Sequence, residues 1–188
     1  MRRRKSGIFI ASQSVKHPSR HHRVREGKSP SNNMRFIVRD FKATLVESSP
    51  RLMFTEADTP EAIYRFYCEA VASDPAYEPE KEHVVVLTFN TRIQVTGWNL
   101  VSIGGLSEAT CHPREVFRPV IVRSAFAFAL IHNHPSGDPS PSSADTKITR
   151  TMKEAADLLK IQMLDHVIIG APAPGRTAYY SFREAGLV

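Results

Sequence analysis

One stretch constrains the fold of this chain more than any other, because three local patterns follow one another without a gap. Residues 125–131 form an uninterrupted apolar run, which is typical of a buried strand. Residues 135–141 contain three prolines and one glycine, which cannot continue a strand or a helix interior. Over residues 145–160 apolar side chains recur at three- and four-residue steps, as in an amphipathic helix. The order strand, turn, helix predicts an α/β unit.

Two histidines stand at the end of this predicted strand. His132 and His134 are two residues apart, so their side chains point to the same side. They lie at the C-terminal end of the strand, where open α/β sheets bind ligands. Asp145 follows, at the third helical position if Ser142 caps the helix. Three nitrogen and oxygen ligands with a fourth position left to water are typical of catalytic zinc. We therefore predict one zinc ion (Zn2+) per chain at His132, His134 and Asp145.

Ser142 and Asp145 also have a purely structural explanation. Residues 142–145 resemble a capping box in which Asp replaces the usual Glu or Gln. An acidic residue in the first turn is also stabilised by the helix dipole. Because a cap leaves some of the oxygen lone pairs free, both roles can hold together. The two histidines on the same turn favour the metal interpretation.

The same residues resemble a known family. His132, His134, Ser142 and Asp145 match the spacing of the JAMM (MPN-plus) metalloprotease motif. The string over 132–145 is similar to the bacterial RadC branch of that family, as are residues 101–105, 112–117 and 164–170. The resemblance covers roughly residues 60–183. It implies the JAMM/MPN (cytidine-deaminase-like) fold, an α/β fold with a mixed β-sheet flanked by helices.

The resemblance also implies catalytic roles for two further side chains. It places a glutamate at the start of the strand over 82–89, which makes Glu82 the general base and Ser142 a group that stabilises the oxyanion or orients the water. Glu115 is the competing base, although its place near a predicted helix start has an electrostatic explanation. Asp138 is a spare ligand candidate, but Gly-Asp-Pro is favourable turn chemistry.

These expectations describe a zinc-dependent metallohydrolase that acts as a metallopeptidase or an isopeptidase. Zinc lowers the pKa of its water to roughly 7 and polarises a carbonyl, while Glu82 moves a proton to the leaving amine. Two alternatives stay open: a RadC-type accessory protein of DNA repair or DNA metabolism that uses the fold as a binding module, and a zinc hydrolase of another bond. The complete ligand set disfavours the binding module. The peptide or protein substrate is not predicted.

Other histidines and the cysteines carry less weight. His166 begins a predicted buried strand, as a hydrogen-bonded core residue or as a partner of a metal ligand. His83 is expected on the face opposite Glu82 and His112 in a loop. The chain has only two cysteines, far apart, which excludes zinc fingers and disulfide frameworks and disfavours a zinc deaminase.

The positive charge is confined to the first residues. Residues 1–33 hold nine Lys or Arg and one Glu, whereas the remainder carries a net charge of −2. This aperiodic tail is predicted to be disordered and to contact nucleic acid weakly through a salt-sensitive field. The equal alternative is a misassigned start, with translation beginning at Met34. Neither supports sequence-specific DNA recognition.

The remaining predictions concern organisation. Residues 34–59 form an N-terminal strand (34–47) and a linker, and residues 60–188 form the RadC-like catalytic domain. The helix-hairpin-helix of longer RadC proteins has no match in residues 1–59, so a DNA-repair role transfers poorly. No run approaches the roughly 20 apolar residues of a membrane span, and the cysteine usage favours the cytoplasm. Oligomeric state is not predicted.

The coarse element pattern supports the same fold. We predict a helix over 60–73 with Thr59 as its cap, and a helix over 114–124 that Pro119 kinks. Strands are expected at 82–89 and 92–103, joined by a two-residue hairpin at Asn90 and Thr91, and further strands at 163–170 and 177–182.

Overall fold

The computed structural model describes residues 57–104 and 111–188, which form helices and strands in alternation. The basic tail over 1–33 and the strand predicted over 34–47 lie outside the described residues. The elements, in chain order, are α1 (Pro60–Phe66), a π-helical turn (Tyr67–Val71), β1 (His83–Phe89), β2 (Val95–Ile103), α2 (Pro113–Val122), β3 (Ala127–Asn133), α3 (Ser143–Leu159), β4 (Gln162–Ile169) and β5 (Tyr179–Ser181).

The five strands form one mixed sheet, as the sequence predicted. Their order is β2-β1-β3-β4-β5. β3 and β4 run parallel, and the other neighbouring pairs run antiparallel. α1 packs against one face of the sheet, and α2 and α3 pack against the other. The fold is therefore an α/β sandwich of the kind expected for a JAMM/MPN domain.

β3 lies at the centre of this sheet and is buried along its whole length. Phe128 and Leu130 point into the core beneath α2 and α3, whereas Ala129 and Ile131 point into the core beneath α1. A strand covered on both faces reads as a continuous apolar run, which explains its sequence. The same alternation directs His132 toward α3 and Asn133 toward the α1 side.

The connection between β1 and β2 corrects one prediction. A two-residue hairpin at Asn90 and Thr91 was wrong, since residues 90–94 separate the strands and β2 begins at Val95. The Asn90 side-chain oxygen accepts hydrogen bonds from the backbone N–H of Arg92 and of Gln94, at 2.9 and 3.0 Å. Asn90 therefore closes a longer loop with its side chain instead of occupying a primed turn.

The helix signals were more reliable than the hairpin signal. The Thr59 hydroxyl accepts a hydrogen bond from the Ala62 N–H at 3.2 Å, which confirms the predicted cap of α1. That helix passes into the π-helical turn and ends at Val71, two residues before the predicted end. α2 continues through Pro119 and ends at Val122. None of the described helices is both long enough and apolar enough to cross a bilayer.

Packing beneath α2 and α3 predicts a large difference between two leucines. Leu130 is 1% exposed in the centre of β3, whereas Leu158 near the end of α3 is 83% exposed. We expect Leu130→Ala to lower the free energy of unfolding by about 2–5 kcal/mol, because it leaves a cavity. The control Leu158→Ala should change it by less than about 0.5 kcal/mol. Urea denaturation measures both, and equal losses would contradict this packing.

Candidate metal centre

Three side chains converge where β3 ends and α3 begins. The ligand atoms of His132, His134 and Asp145 all lie within 4.8 Å of one another. Nε2 of His132 is 3.2 Å from Oδ1 of Asp145, and Nε2 of His134 is 3.5 Å from Oδ2. The two Nε2 atoms are 3.1 Å apart. The structure thus brings together the three ligands predicted from the sequence.

A tight turn returns the chain from β3 to the start of α3. Gly137 adopts a φ of +76°, and its N–H donates to the His134 carbonyl at 2.9 Å. The turn lies directly on Gly170, where an added Cβ would come within 2.6 Å of the Gly137 carbonyl oxygen. Gly170 directly follows β4, so this close approach packs the turn against the end of that neighbouring strand.

The predicted helix cap is confirmed, and it shares its carboxylate with the cluster. Ser142 Oγ accepts a hydrogen bond from the Asp145 N–H at 3.1 Å. Asp145 Oδ2 accepts from the Ser142 N–H at 2.7 Å and from the Ser142 hydroxyl at 2.6 Å. The cap therefore holds Oδ2, while Oδ1 faces His132. Both explanations of Asp145 hold at once.

The electrostatics of the cluster favour an ionised aspartate. Burial raises the pKa of Asp145, but hydrogen bonds with His132, His134 and Ser142 lower it, and the net pKa lies well below its usual range. Burial lowers the pKa of His132, whereas the hydrogen bond with Asp145 raises the pKa of His134. A carboxylate and a neutral imidazole are the forms that bind metal ions, so the directions for Asp145 and His132 fit metal binding, whereas a metal ion would displace a proton from His134.

Each histidine of the cluster has a partner on its outer nitrogen. Nδ1 of His134 lies 2.7 Å from the Asp138 carbonyl oxygen, which only accepts, so Nδ1 carries a proton and, in the neutral ring, Nε2 keeps the lone pair. Nδ1 of His132 lies 2.9 Å from Nε2 of His166. Both imidazoles therefore present Nε2 to Asp145.

Asp138 serves the turn with its side chain. Its carboxylate accepts a hydrogen bond from the Ser140 N–H at 2.9 Å and lies 3.4 Å from Nη1 of Arg176. These contacts fit the turn role that the sequence favoured over the role of a spare ligand.

The two candidate bases occupy different surroundings. Val84 pairs with His132 in the antiparallel register of β1 and β3, and continuing that register sets Glu82 opposite His134. Residues directly opposite on such strands share a face, so Glu82 lies on the face of the cluster. Its negative charge raises the pKa of both His132 and His134, although burial outweighs this for His132. Glu82 is thus electrostatically coupled to both predicted ligands.

Glu115 is instead paired with arginines on α2. Its carboxylate lies 3.2 Å from Nε of Arg114 and 3.9 Å from Nη1 of Arg118. The Glu115 side chain is 43% exposed. These contacts match the helix-start explanation that the sequence offered for this residue.

Asn133, between the two histidines, was missed by sequence reasoning. Its Oδ1 accepts from the His83 N–H at 2.8 Å and from the Tyr67 hydroxyl at 2.9 Å. Its Nδ2 donates to the Lys81 carbonyl at 3.0 Å. The Asn133 amide therefore holds the backbone on both sides of Glu82. The available signal was a polar residue at a position of β3 that should face the core.

The other histidines of the described residues, and both cysteines, lie where the sequence reasoning placed them or close to it. His83 is buried away from the cluster, with its Nδ1 2.9 Å from the Lys81 carbonyl oxygen. His112 precedes α2 as its N-cap residue and makes no side-chain cap bond. Cys68 and Cys111 are free thiols, and burial raises the pKa of Cys111 to about 11.

Comparison with known proteins gives a consistent result. The model of the family described as "RadC-like JAB domain" matches residues 57–187. A UPF0758 protein of Chlorobium chlorochromatii (strain CaD3) is 49% identical over 111 residues, which are 59% of this chain and 48% of the relative. A UPF0758 protein of Geobacter sulfurreducens (strain ATCC 51573 / DSM 12127 / PCA) is 40% identical over 143 residues, 75% of this chain and 58% of the relative. The chain spans about half the length of these curated relatives.

The hydrogen bonds of the Asn133 amide predict unequal losses of stability for two variants. Asn133→Ala leaves the buried His83 N–H without its acceptor, and we expect this unpaired donor to lower the free energy of unfolding by roughly 1–3 kcal/mol. The Lys81 carbonyl keeps its contact with Nδ1 of His83. Tyr67→Phe removes a single donor and should cost about 0.5–1.5 kcal/mol. Urea denaturation of both variants tests the difference. If Asn133→Ala lowered the free energy of unfolding less than Tyr67→Phe does, this account of Asn133 would be refuted.

Proposed function

This chain belongs to the RadC-like JAB domain family, and we propose that it is a zinc-dependent metallohydrolase acting on an amide bond of a peptide or protein. One observation carries the proposal: Nε2 of His132, Nε2 of His134 and the carboxylate of Asp145 converge, while both Nδ1 atoms are hydrogen-bonded elsewhere. Such a set directs three potential metal-binding groups toward one point.

The donor set fits zinc by its chemistry. Zinc accepts imidazole nitrogen and carboxylate oxygen, and three protein ligands leave a fourth position for water or substrate. The side chains of His132 and Asp145 are 1% and 2% exposed, whereas that of His134 is 15% exposed. The cluster is thus held in the core and reached from the His134 side. This asymmetry supports a catalytic rather than a closed structural site.

The surrounding residues would divide the chemistry among them. Zinc, when bound, lowers the pKa of water to roughly 7 and polarises a substrate carbonyl. Glu82 would hold the proton lost by the water on its carboxylate and deliver it to the leaving amine. Because Glu82 shares its face with the cluster, it is better placed for this role than Glu115.

Ser142 has a role in holding the aspartate in place. Its hydroxyl donates to Oδ2 of Asp145, and its oxygen accepts from the Asp145 N–H. We propose that these two bonds orient the carboxylate before a metal ion binds. A hydrogen bond from Ser142 to an oxyanion would require the same hydroxyl to rotate away from Asp145.

Metal analysis tests the ligand set. We expect elemental analysis to find about one zinc ion per purified chain, as three protein ligands predict. The double variant His132→Ala/His134→Ala should lose the metal, whereas Glu82→Gln should keep it because Glu82 is not a ligand. A wild-type chain that takes up no zinc after reconstitution would overturn the proposal and favour a binding module.

Two matched variants separate the candidate bases. On peptides cleaved by the wild type, identified by mass spectrometry of a peptide library, Glu82→Gln should lower kcat by roughly 10²–10⁴-fold with zinc retained. Glu115→Gln should leave kcat unchanged. The reverse result would assign the base to Glu115. Cleavage of nucleic acid but no peptide, lost in His134→Ala, would replace the amide bond with a phosphodiester.

A further inference from the structure

A chain of buried hydrogen bonds runs from Nδ1 of His132 to α3. Nδ1 of His132 lies 2.9 Å from Nε2 of His166, and Nδ1 of His166 lies 2.6 Å from Oγ1 of Thr149. The Thr149 hydroxyl lies 2.7 Å from the carbonyl oxygen of Asp145. His166 and Thr149 are 1% and 2% exposed, so water does not compete for these bonds.

The fold brings these groups together from three separate elements. In the parallel register of β3 and β4, His166 pairs with Leu130 and so shares the face of His132. Thr149 lies four residues after Asp145 and therefore one turn further along the same side of α3. The His166 ring stacks on Phe182 at 4.8 Å and 7°, which fixes its plane. The strand register, the helix turn and the ring stack thus each help to position one of these groups.

The available protons set the direction of the chain. Two neutral imidazoles and one hydroxyl supply three protons for three contacts. If Thr149 donates to the Asp145 carbonyl, its oxygen must accept from the Nδ1–H of His166. Nε2 of His166 then has only a lone pair and accepts from the Nδ1–H of His132. Each proton is donated once, and each of the three contacts is a hydrogen bond.

The opposite direction is disfavoured by the contact between Thr149 and Asp145. It would turn the Thr149 hydroxyl toward His166 and leave two oxygen atoms 2.7 Å apart with no hydrogen between them. It would also put a proton on Nε2 of His132, which a metal ion would have to displace before it could bind this nitrogen.

We propose that His166 and Thr149 are positioning residues that lock His132 in the tautomer offering its Nε2 lone pair to a zinc ion. The inference rests on the proposed zinc site, and it adds two residues that contact no ligand position themselves. Metal-binding histidines are usually oriented by a carboxylate, a carbonyl or water. Here a neutral histidine performs that task, and a threonine on the ligand-bearing helix orients the histidine in turn.

Zinc affinity of the full-length chain tests the role of Thr149 without any substrate. Thr149→Val keeps the shape of the side chain but removes the acceptor for His166, so we expect zinc binding to weaken roughly 10–100-fold. Thr149→Ser restores the hydroxyl and should bind within about twofold of wild type. Competition with a chromophoric chelator measures the three dissociation constants. Equal affinities for the Val and Ser variants would overturn the inference.

Thr151→Val is the matched control. Thr151 lies on the same helix and its hydroxyl donates to the Lys147 carbonyl at 3.0 Å, but the side chain is exposed. This variant removes the same local bond without touching a histidine, so its zinc affinity should equal that of wild type. A loss as large as that of Thr149→Val would assign the effect to α3 and overturn the inference.

Imidazole tautomers can be read directly by nitrogen-15 NMR of the chelator-treated full-length chain. We expect a proton on Nδ1 of His166 and none on its Nε2. A proton on Nε2 of His166 would overturn the inference whatever the affinities are. Because this reading needs no metal, it is independent of the proposed function, which fails separately if the wild type takes up no zinc.

Discussion

The pairing of β3 with both of its neighbours is the constraint on which the candidate site depends. The antiparallel register with β1 pairs Val84 with His132, two residues after Glu82, and the parallel register with β4 sets His166 on the face of His132. A slip of one residue would turn both histidines toward α1 and away from Asp145. Small alanines beneath α1 and larger side chains beneath α2 and α3 make such a slip costly, because each face is packed.

Polar groups in this core are tolerated because each has a hydrogen-bond partner. Among the described residues, no buried side-chain nitrogen or oxygen lacks one. A buried polar group without a partner costs about 1–3 kcal/mol, so Asn133 and His166 each satisfy groups that would otherwise destabilise the sheet. The same bonds fix the side chains in space. Stability and preorganisation of the cluster therefore have a common origin.

Local signals in the sequence predicted the parts of the site that lie close together along the chain. The apolar run, the proline-rich turn and the cap at Ser142 each depend on a few consecutive residues, and from them the sequence predicted that His132, His134 and Asp145 lie together, as they do in the structure. The hairpin at Asn90 failed, because a side chain that can occupy a turn can also close a longer loop. The successful prediction of the cluster and the failed hairpin both rest on interactions between residues that are close along the chain.

The supporting residues could not be found in this way, because their partners are distant in sequence. Asn133 bonds His83 across 50 residues, and His132 meets His166 across 34. Only the strand registers bring these pairs together, and one sequence does not specify a register. The Asn133 position carried a signal only in retrospect, as a polar residue on a buried strand.

Asp145 shows why the cap and the cluster reinforce each other. The helix start favours a negative charge, and the bonds from Ser142 hold one oxygen while the other faces His132. A glutamate would also fit a capping box, but its extra methylene would place the carboxylate further from the helix axis. The shorter aspartate anchors the same group to the backbone and keeps it ionised. An ionised, anchored carboxylate is what a metal ligand requires, so the residue that starts α3 is also suited to complete the site.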